Sequence, residues 1–203
     1  MCTMMEEIQM TGKRPDREEA ERLLADAERC NPGQWGDHSR FTALCAERIA
    51  AQCEGMDADK AYVLGLLHDI GRKFGVKHLG HIYDGYRYMC ELGYDEVARI
   101  CLTHSFSIQN IHDYIGNFDI PQEQQEELET ALAQVVYDDY DRLIQLCDSL
   151  AGAEGIMSIE ERMADVKRRY GSYPQEKWDK NISLKRLFAE KTGGNIDEIV
   201  RNG

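Results

Sequence analysis

The chain has 203 residues and a formal charge of −13, from 24 Lys and Arg against 37 Asp and Glu. That acidic balance argues against a nucleic acid or an anionic membrane as a partner held by broad surface charge. With 42% hydrophobic residues the chain is too apolar for disorder and long enough for one substantial core.

At the N-terminal end, Met1–Met10 carries Glu6 and Glu7 where a signal peptide would be basic and then apolar. The longest uncharged apolar stretch, Ala61–Leu67, is far below the ~20 residues that cross a bilayer. A cytoplasmic location is expected. Sustained period-2 runs of β-branched and aromatic residues are absent, while 3.6-residue periodicity recurs, which predicts an all-α fold. Pro15-Asp16 opens a helix that runs to about Cys30 and ends at Asn31-Pro32-Gly33. A second, from near Asp37 to about Cys53, places His38, Phe41, Cys45 and Ile49 on one face. Asp57 caps a third, with Ala61, Leu64 and Leu67 inward, which is expected to stop at Gly71 in the left-handed position past a helix end. The fourth runs from near Gly80 to Gly93. Asp95 is expected to cap a fifth, with an inward stripe of Val97, Ile100, Cys101 and His104.

Ser105–Ile120 reads as a polar loop with a short helical turn. Pro121 begins a long acidic helix that passes, with a break near Tyr137, into Asp138–Ala151. A capping box of Ser158 and Glu161 starts a further helix, Pro174 another, and Asn195 with Glu198 a last short one. Residues 1–34 are expected to form an N-terminal helical segment, 35–152 a core, and 153–203 a C-terminal helical appendage packed on it, with Ala151–Gly155 as the joint. The seven cysteines (Cys2, Cys30, Cys45, Cys53, Cys90, Cys101, Cys147) are odd in number and form no Cys-x-x-Cys pair. They read as small buried hydrophobes rather than disulfides or thiolate zinc ligands.

Four of the six histidines, His38, His68, His81 and His104, fall within or at the ends of the core helices. His68 and Asp69 follow directly on the apolar run Tyr62–Leu67, where an imidazole and a carboxylate at a helix end can lean toward one ion. Asp148 lies inside Leu143-Ile144-Gln145-Leu146-Cys147-Asp148-Ser149-Leu150. A carboxylate in that apolar setting needs a compensating charge or a shifted pKa, and a shared metal would satisfy His38, His68, Asp69, His104 and Asp148 together. Asp141, seven residues earlier and on nearly the same face, is the rival acidic ligand, but it belongs to an acidic run. His112-Asp113 repeats the His-Asp pair in the polar loop and reads as a surface coincidence.

The ordered set His38, His68-Asp69, His104 and Asp148 on successive helices resembles the HD superfamily of metal-dependent phosphohydrolases, over roughly residues 35–152. His81, in Gly80-His81-Ile82-Tyr83-Asp84-Gly85, looks like the additional histidine of dinuclear members such as the YqeK-like dinucleotide hydrolases. His78 is its rival but sits in the glycine-flanked turn before the helix. The resemblance implies a helical bundle of at least five helices, here with a C-terminal helical extension. It implies a first metal held by His38, His68, Asp69 and Asp148, and a second held by His81 and His104, with Asp69 bridging. The cofactor is then a divalent metal, two ions, with Fe ahead of Mn, Co, Ni or Zn. The Gly-Tyr-Pro signature of cyclic-di-GMP phosphodiesterases is missing, since Asp84-Gly85-Tyr86 is followed by Arg87.

No acidic residue occurs between Asp69 and Asp84, where Arg72, Lys73 and Lys77 form a basic island. The island either holds a phosphate beside the metals or complements a helix C-terminus. P-loop, Gly-x-Ser-x-Gly, His-Glu-x-x-His and Gly-x-Gly-x-x-Gly motifs are absent. The expected activity is hydrolysis of a nucleotide or other small phosphate ester by metal-activated hydroxide, with Asp69, Arg72 and Lys73 as the catalytic residues. A di-iron oxygenase of the inositol-oxygenase-like type, or a non-catalytic nucleotide-binding module, is the alternative. The expected partner is a small phosphorylated substrate, neither nucleic acid nor membrane, and a homo-oligomer is compatible with the sequence.

Overall fold

The computed structural model describes residues 12–202; Met1–Met10 and Cys2, read above from sequence, lie outside them. Ten α-helices follow one another: α1 (Arg17–Cys30), α2 (Trp35–Ala50), α3 (Ala58–Leu67), α4 (Leu79–Glu91), α5 (Asp95–Thr103), α6 (Gln122–Gln134), α7 (Asp139–Asp148), α8 (Ile159–Tyr170), α9 (Gln175–Thr192) and α10 (Ile196–Asn202). Short 3₁₀ segments occupy Ile70–Phe74 and Ile111–Asp113. The fold is all-α: the described residues form no strand, only an isolated bridge between Ala151 and Ile156.

Local chemistry sets most helix ends as the sequence predicts. The carboxylates of Asp16 and Asp57 accept from the Glu19 and Lys60 amides at 2.8 and 3.0 Å, and Ser158 and Glu161 form the capping box of α8. The long acidic helix is two helices, because Asp138 and Asp141 make a second capping box that starts α7 afresh. Three expectations are corrected. The second helix spans Trp35–Ala50 rather than Asp37–Cys53, and α3 stops at Leu67 rather than Gly71. Gly71 is not at positive φ but inside the following 3₁₀ turn. Asp95 does not cap α5, whose N-cap is Tyr94; its carboxylate instead accepts from the backbone amides of Gly12 and Lys13, at 3.0 and 2.8 Å.

One large apolar core runs through the molecule. Leu24 of α1, Ile49 of α2, Leu64 and Leu67 of α3 and Leu146 of α7 are buried in it, and so are Met163 of α8, Phe188 of α9 and Val200 of α10. Residues beyond Ala151 therefore share the core of the preceding helices. A second, smaller cluster of Leu79, Ile82, Leu102, Phe106, Leu128 and Leu132 seats α6 against α4 and α5. Backbones approach closely at two glycines. A Cβ on Gly65 would lie 2.8 Å from the Ala43 Cα, so glycine lets α3 sink against α2. A Cβ on Gly71 would overlap the His81 carbonyl oxygen and the Gly85 nitrogen, so glycine lets the 3₁₀ turn dock on α4. No helix among the described residues is long and apolar enough to cross a membrane. The six described cysteines are free thiols; Cys45, Cys53, Cys101 and Cys147 are buried, and Cys30 is exposed.

Candidate metal centre

Helix ends build the site. His68 and His104 cap the C-termini of α3 and α5, and Asp148 is the last residue of α7. His38 and His81 lie in the first turns of α2 and α4, which run the opposite way. Five helix ends thus deliver side chains to one place. His38 Nε2 lies 2.9 Å from Asp148 Oδ1, and His68 Nε2 lies 3.9 Å from the same oxygen. Asp69 turns Oδ1 toward His81 Nε2 (3.1 Å) and His104 Nε2 (3.5 Å), and those two nitrogens are 3.4 Å apart. Two groups have donor atoms close enough to hold an ion: His38 with His68 and Asp148, and His68 with Asp69 and His104.

The donor set fits a metal. The Nδ1 atoms of His68 and His104 donate to the carbonyls of Gly65 (2.7 Å) and Cys101 (2.9 Å), and that of His81 donates to His78 O. A proton on each Nδ1 leaves Nε2 as a bare lone pair turned toward the carboxylates of the cluster, the tautomer a metal takes. His68 Nε2 is buried without a hydrogen-bond partner among the described residues, an orphan that native interiors rarely tolerate. Burial pushes the His68 pKa down to about 4, against the pull of Asp69, so this imidazole is neutral at physiological pH. Burial also lowers that of His81, aided by the Arg72 charge. For His104 burial acts in the same direction, but Asp69 outweighs it and the pKa rises. Burial opposes ionisation of Asp69 and Asp148. The Arg72 charge and neighbouring imidazoles nevertheless hold Asp69 well below the carboxylate range, and the hydrogen bond and charge of His38 do the same for Asp148. Both are ionised, as a carboxylate that holds a cation must be.

Asp141 is fully buried, yet it sits at the other end of α7, about 10 Å along the axis for seven residues. Arg99 and the Thr103 hydroxyl occupy its oxygens, with Arg99 Nε at 3.1 Å and the hydroxyl at 2.8 Å. His112, exposed, stacks on Phe118 away from the cluster. His78 meets Asp119 through its backbone amide at 2.6 Å and does not line the cavity.

The basic island divides. Arg72 lines the cavity, its Nε donating to Asp69 Oδ2 at 2.5 Å. Lys73, expected to orient phosphate, does not line it: its ammonium donates to the Tyr88 hydroxyl at 3.0 Å and lies 4.4 Å above that ring. Lys77 pairs with Asp84 at 2.5 Å. The cavity, about 370 Å³, draws other cations from beyond Ala151: Arg162 and Arg169 of α8 and Lys177 of α9, together with Tyr173. Nothing in the sequence spacing ties Lys177 to a cluster that ends at Asp148.

A family model described as HD domain matches residues 35–153. The chain belongs to the HD domain family. The match opens at the first residue of α2, three before His38, and closes just past Asp148, so the six candidate ligands lie inside the HD domain and α8–α10 outside it. Comparison with curated proteins and with solved structures yields no match.

Proposed function

We propose that this HD domain protein is a metal-dependent phosphohydrolase that cleaves a nucleotide or another small phosphate ester. The observation that supports the reading is the meeting of His38, His68, Asp69, His81, His104 and Asp148 in one cluster, with His68 Nε2 buried and unpartnered among the described residues and the other five side chains lining one cavity. In this reading His38, His68, Asp69 and Asp148 hold one divalent ion and His81 and His104 a second, with Asp69 shared, as in YqeK-like dinuclear members. Iron heads the candidates, before Mn, Co, Ni and Zn, since imidazole and carboxylate ligands accept them all. Bound ions supply the Lewis acidity that makes water a nucleophile near neutral pH and offsets charge on the phosphoryl oxygens.

The protein's own groups do the rest. The backbone carbonyls behind His68, His81 and His104 fix each ring and its tautomer. Arg72 is committed to Asp69 through Nε and keeps its terminal nitrogens for phosphate oxygens. Helices α8 and α9 wall the cavity and separate the reacting groups from bulk water. A cytoplasmic setting and a small soluble substrate belong to the same reading.

Purified without added ions, the protein should carry two metal ions per chain and release phosphate from at least one nucleotide or sugar phosphate in the absence of dioxygen. Turnover that requires iron and dioxygen and yields no phosphate would put an oxygenase in its place. Nucleotide binding without turnover of any kind would leave a non-catalytic module.

A further inference from the structure

The cavity holds three polar groups that metal binding does not use. Gln145, 2% exposed, donates Nε2 to the carbonyls of Thr103 and Phe106, at 3.0 and 3.3 Å. Those bonds fix which end of the amide is oxygen, and Oε1 is left buried with no partner among the described residues. Ser107, 6% exposed, holds its hydroxyl in the same condition. Lys177 reaches in from α9 and donates to the carbonyls of Ser105 (2.9 Å) and Asp113 (3.2 Å). Both are neutral acceptors, while Asp148 and Asp113 act on the ammonium through space. All three groups line the cavity, and all three converge on the segment 103–107 that carries His104.

A buried carbonyl oxygen and a buried hydroxyl cost free energy while they stay unpaired, and the hydrogen bonds of the Lys177 ammonium go to neutral carbonyls. The needs are complementary. Gln145 Oε1 requires a donor, Ser107 Oγ can donate or accept, and the Lys177 ammonium can donate to an anion. A hydroxyl suits both Gln145 and Ser107, because it can donate to the first and accept from the second, whereas an alkyl or aryl group would leave both unsatisfied. We propose that Lys177, Ser107 and Gln145 form a subsite for the phosphate ester of a polyhydroxylated alcohol, Lys177 taking a phosphate oxygen and the other two a hydroxyl of the esterified molecule. The inference rests on the phosphohydrolase reading above and narrows it to hydroxyl-bearing esters such as sugar or nucleoside phosphates. Lys177 lies beyond the residues that the HD domain model matches, while Ser107 and Gln145 lie within them, so the subsite joins α9 to the HD domain.

The test is calorimetric titration of the metal-loaded protein with ribose 5-phosphate and with tetrahydrofurfuryl phosphate, which keeps the ring and the phosphate but lacks the three hydroxyls. Ribose 5-phosphate should bind at least tenfold more tightly. Ser107→Ala should cut that ratio below threefold, and Lys177→Met should weaken both probes and inorganic phosphate by about the same factor. Equal affinity of the two probes for the wild-type protein, or no binding of either, overturns the subsite, and neither result depends on a variant folding. Phosphate release from both probes at equal rates and equal affinities would sink the subsite and spare the phosphohydrolase. The tenfold preference without hydrolysis of any phosphate ester would do the reverse.

Discussion

Gly71 and His81 touch through their backbones, since a Cβ at position 71 would overlap the His81 carbonyl oxygen and stand 2.9 Å from the Gly85 Cα. This contact sets the 3₁₀ turn that follows Asp69 against the first turn of α4, and so holds Asp69 Oδ1 within 3.1 Å of His81 Nε2. The obstacles are main-chain atoms, which cannot swing aside as a side chain would. Gly71→Ala should therefore lower stability by about 1–3 kcal/mol, the usual cost of overpacking, and should part Asp69 from His81. A drop in the urea midpoint together with reduced metal retention would bear this out; an unchanged midpoint would mean that the turn moves freely on α4.

The two aspartates at opposite ends of α7, Asp141 buried and Asp148 half-buried, should behave differently. Asp148→Ala should lose bound metal, because it faces His38 and His68. Asp141→Ala should keep the metal and lose on the order of 3 kcal/mol, the penalty for breaking a buried charge pair from one side, since it strips Arg99 and Thr103 of their acceptor. Metal analysis beside urea unfolding of both variants separates the two roles. Metal loss in Asp141→Ala with full retention in Asp148→Ala would exchange them.

His81→Ala and His104→Ala should each lose mainly one of two ions, and His68→Ala should damage the first. His68 should be the most severe of the three, because it stands in both groups of candidate ligands. Chelation of the wild-type protein should lower Tm, since an ion that binds only the folded chain stabilises it. Full metal content and activity in both His81→Ala and His104→Ala would remove the second ion from the site.

Lys177 should make stability depend on pH at the alkaline end. Burial lowers its pKa from 10.5 to about 8, against the attraction of Asp148 and Asp113. Between pH 8 and 10.5 the unfolded chain holds a proton that the folded chain has released, so this group's contribution to stability rises with pH across that window. Below it, the cost of burying the ammonium is fully present. The difference between wild type and Lys177→Met should shift in favour of wild type from pH 8 to pH 10.5, measured by urea midpoints at each pH. A difference that is flat over that range would mean that the ammonium is solvated.

Thiol reactivity should follow burial. Burial pushes the Cys45 thiol up to about 12 and those of Cys101 and Cys147 well above their ordinary value, while Cys30 is exposed. In native protein treated with iodoacetamide at pH 8, peptide mapping should find Cys30 modified and Cys45, Cys101 and Cys147 intact. Early labelling of Cys147 would place an opening of the core beside Asp148.

The sequence by itself determined the all-α class, the capping box at Ser158, and the ordered His and Asp set of the HD domain. These follow from short-range spacing: helical periodicity, cap chemistry and side chains placed at helix ends are written within a few residues of one another. It misplaced Gly71 and Asp95 because both look like local helix punctuation while their work is long-range, the first against α4 and the second on the amides of Gly12 and Lys13. Only the tertiary structure separated Arg72, which faces the cavity, from Lys73, which turns to Tyr88 one residue later; neighbouring residues point in different directions, and composition does not record direction. It also decided that Lys177 joins the site. That contact crosses 72 residues to Ser105 and exists because α9 packs Phe188 and Leu184 into the shared core, a consequence of burial rather than of any pattern along the chain.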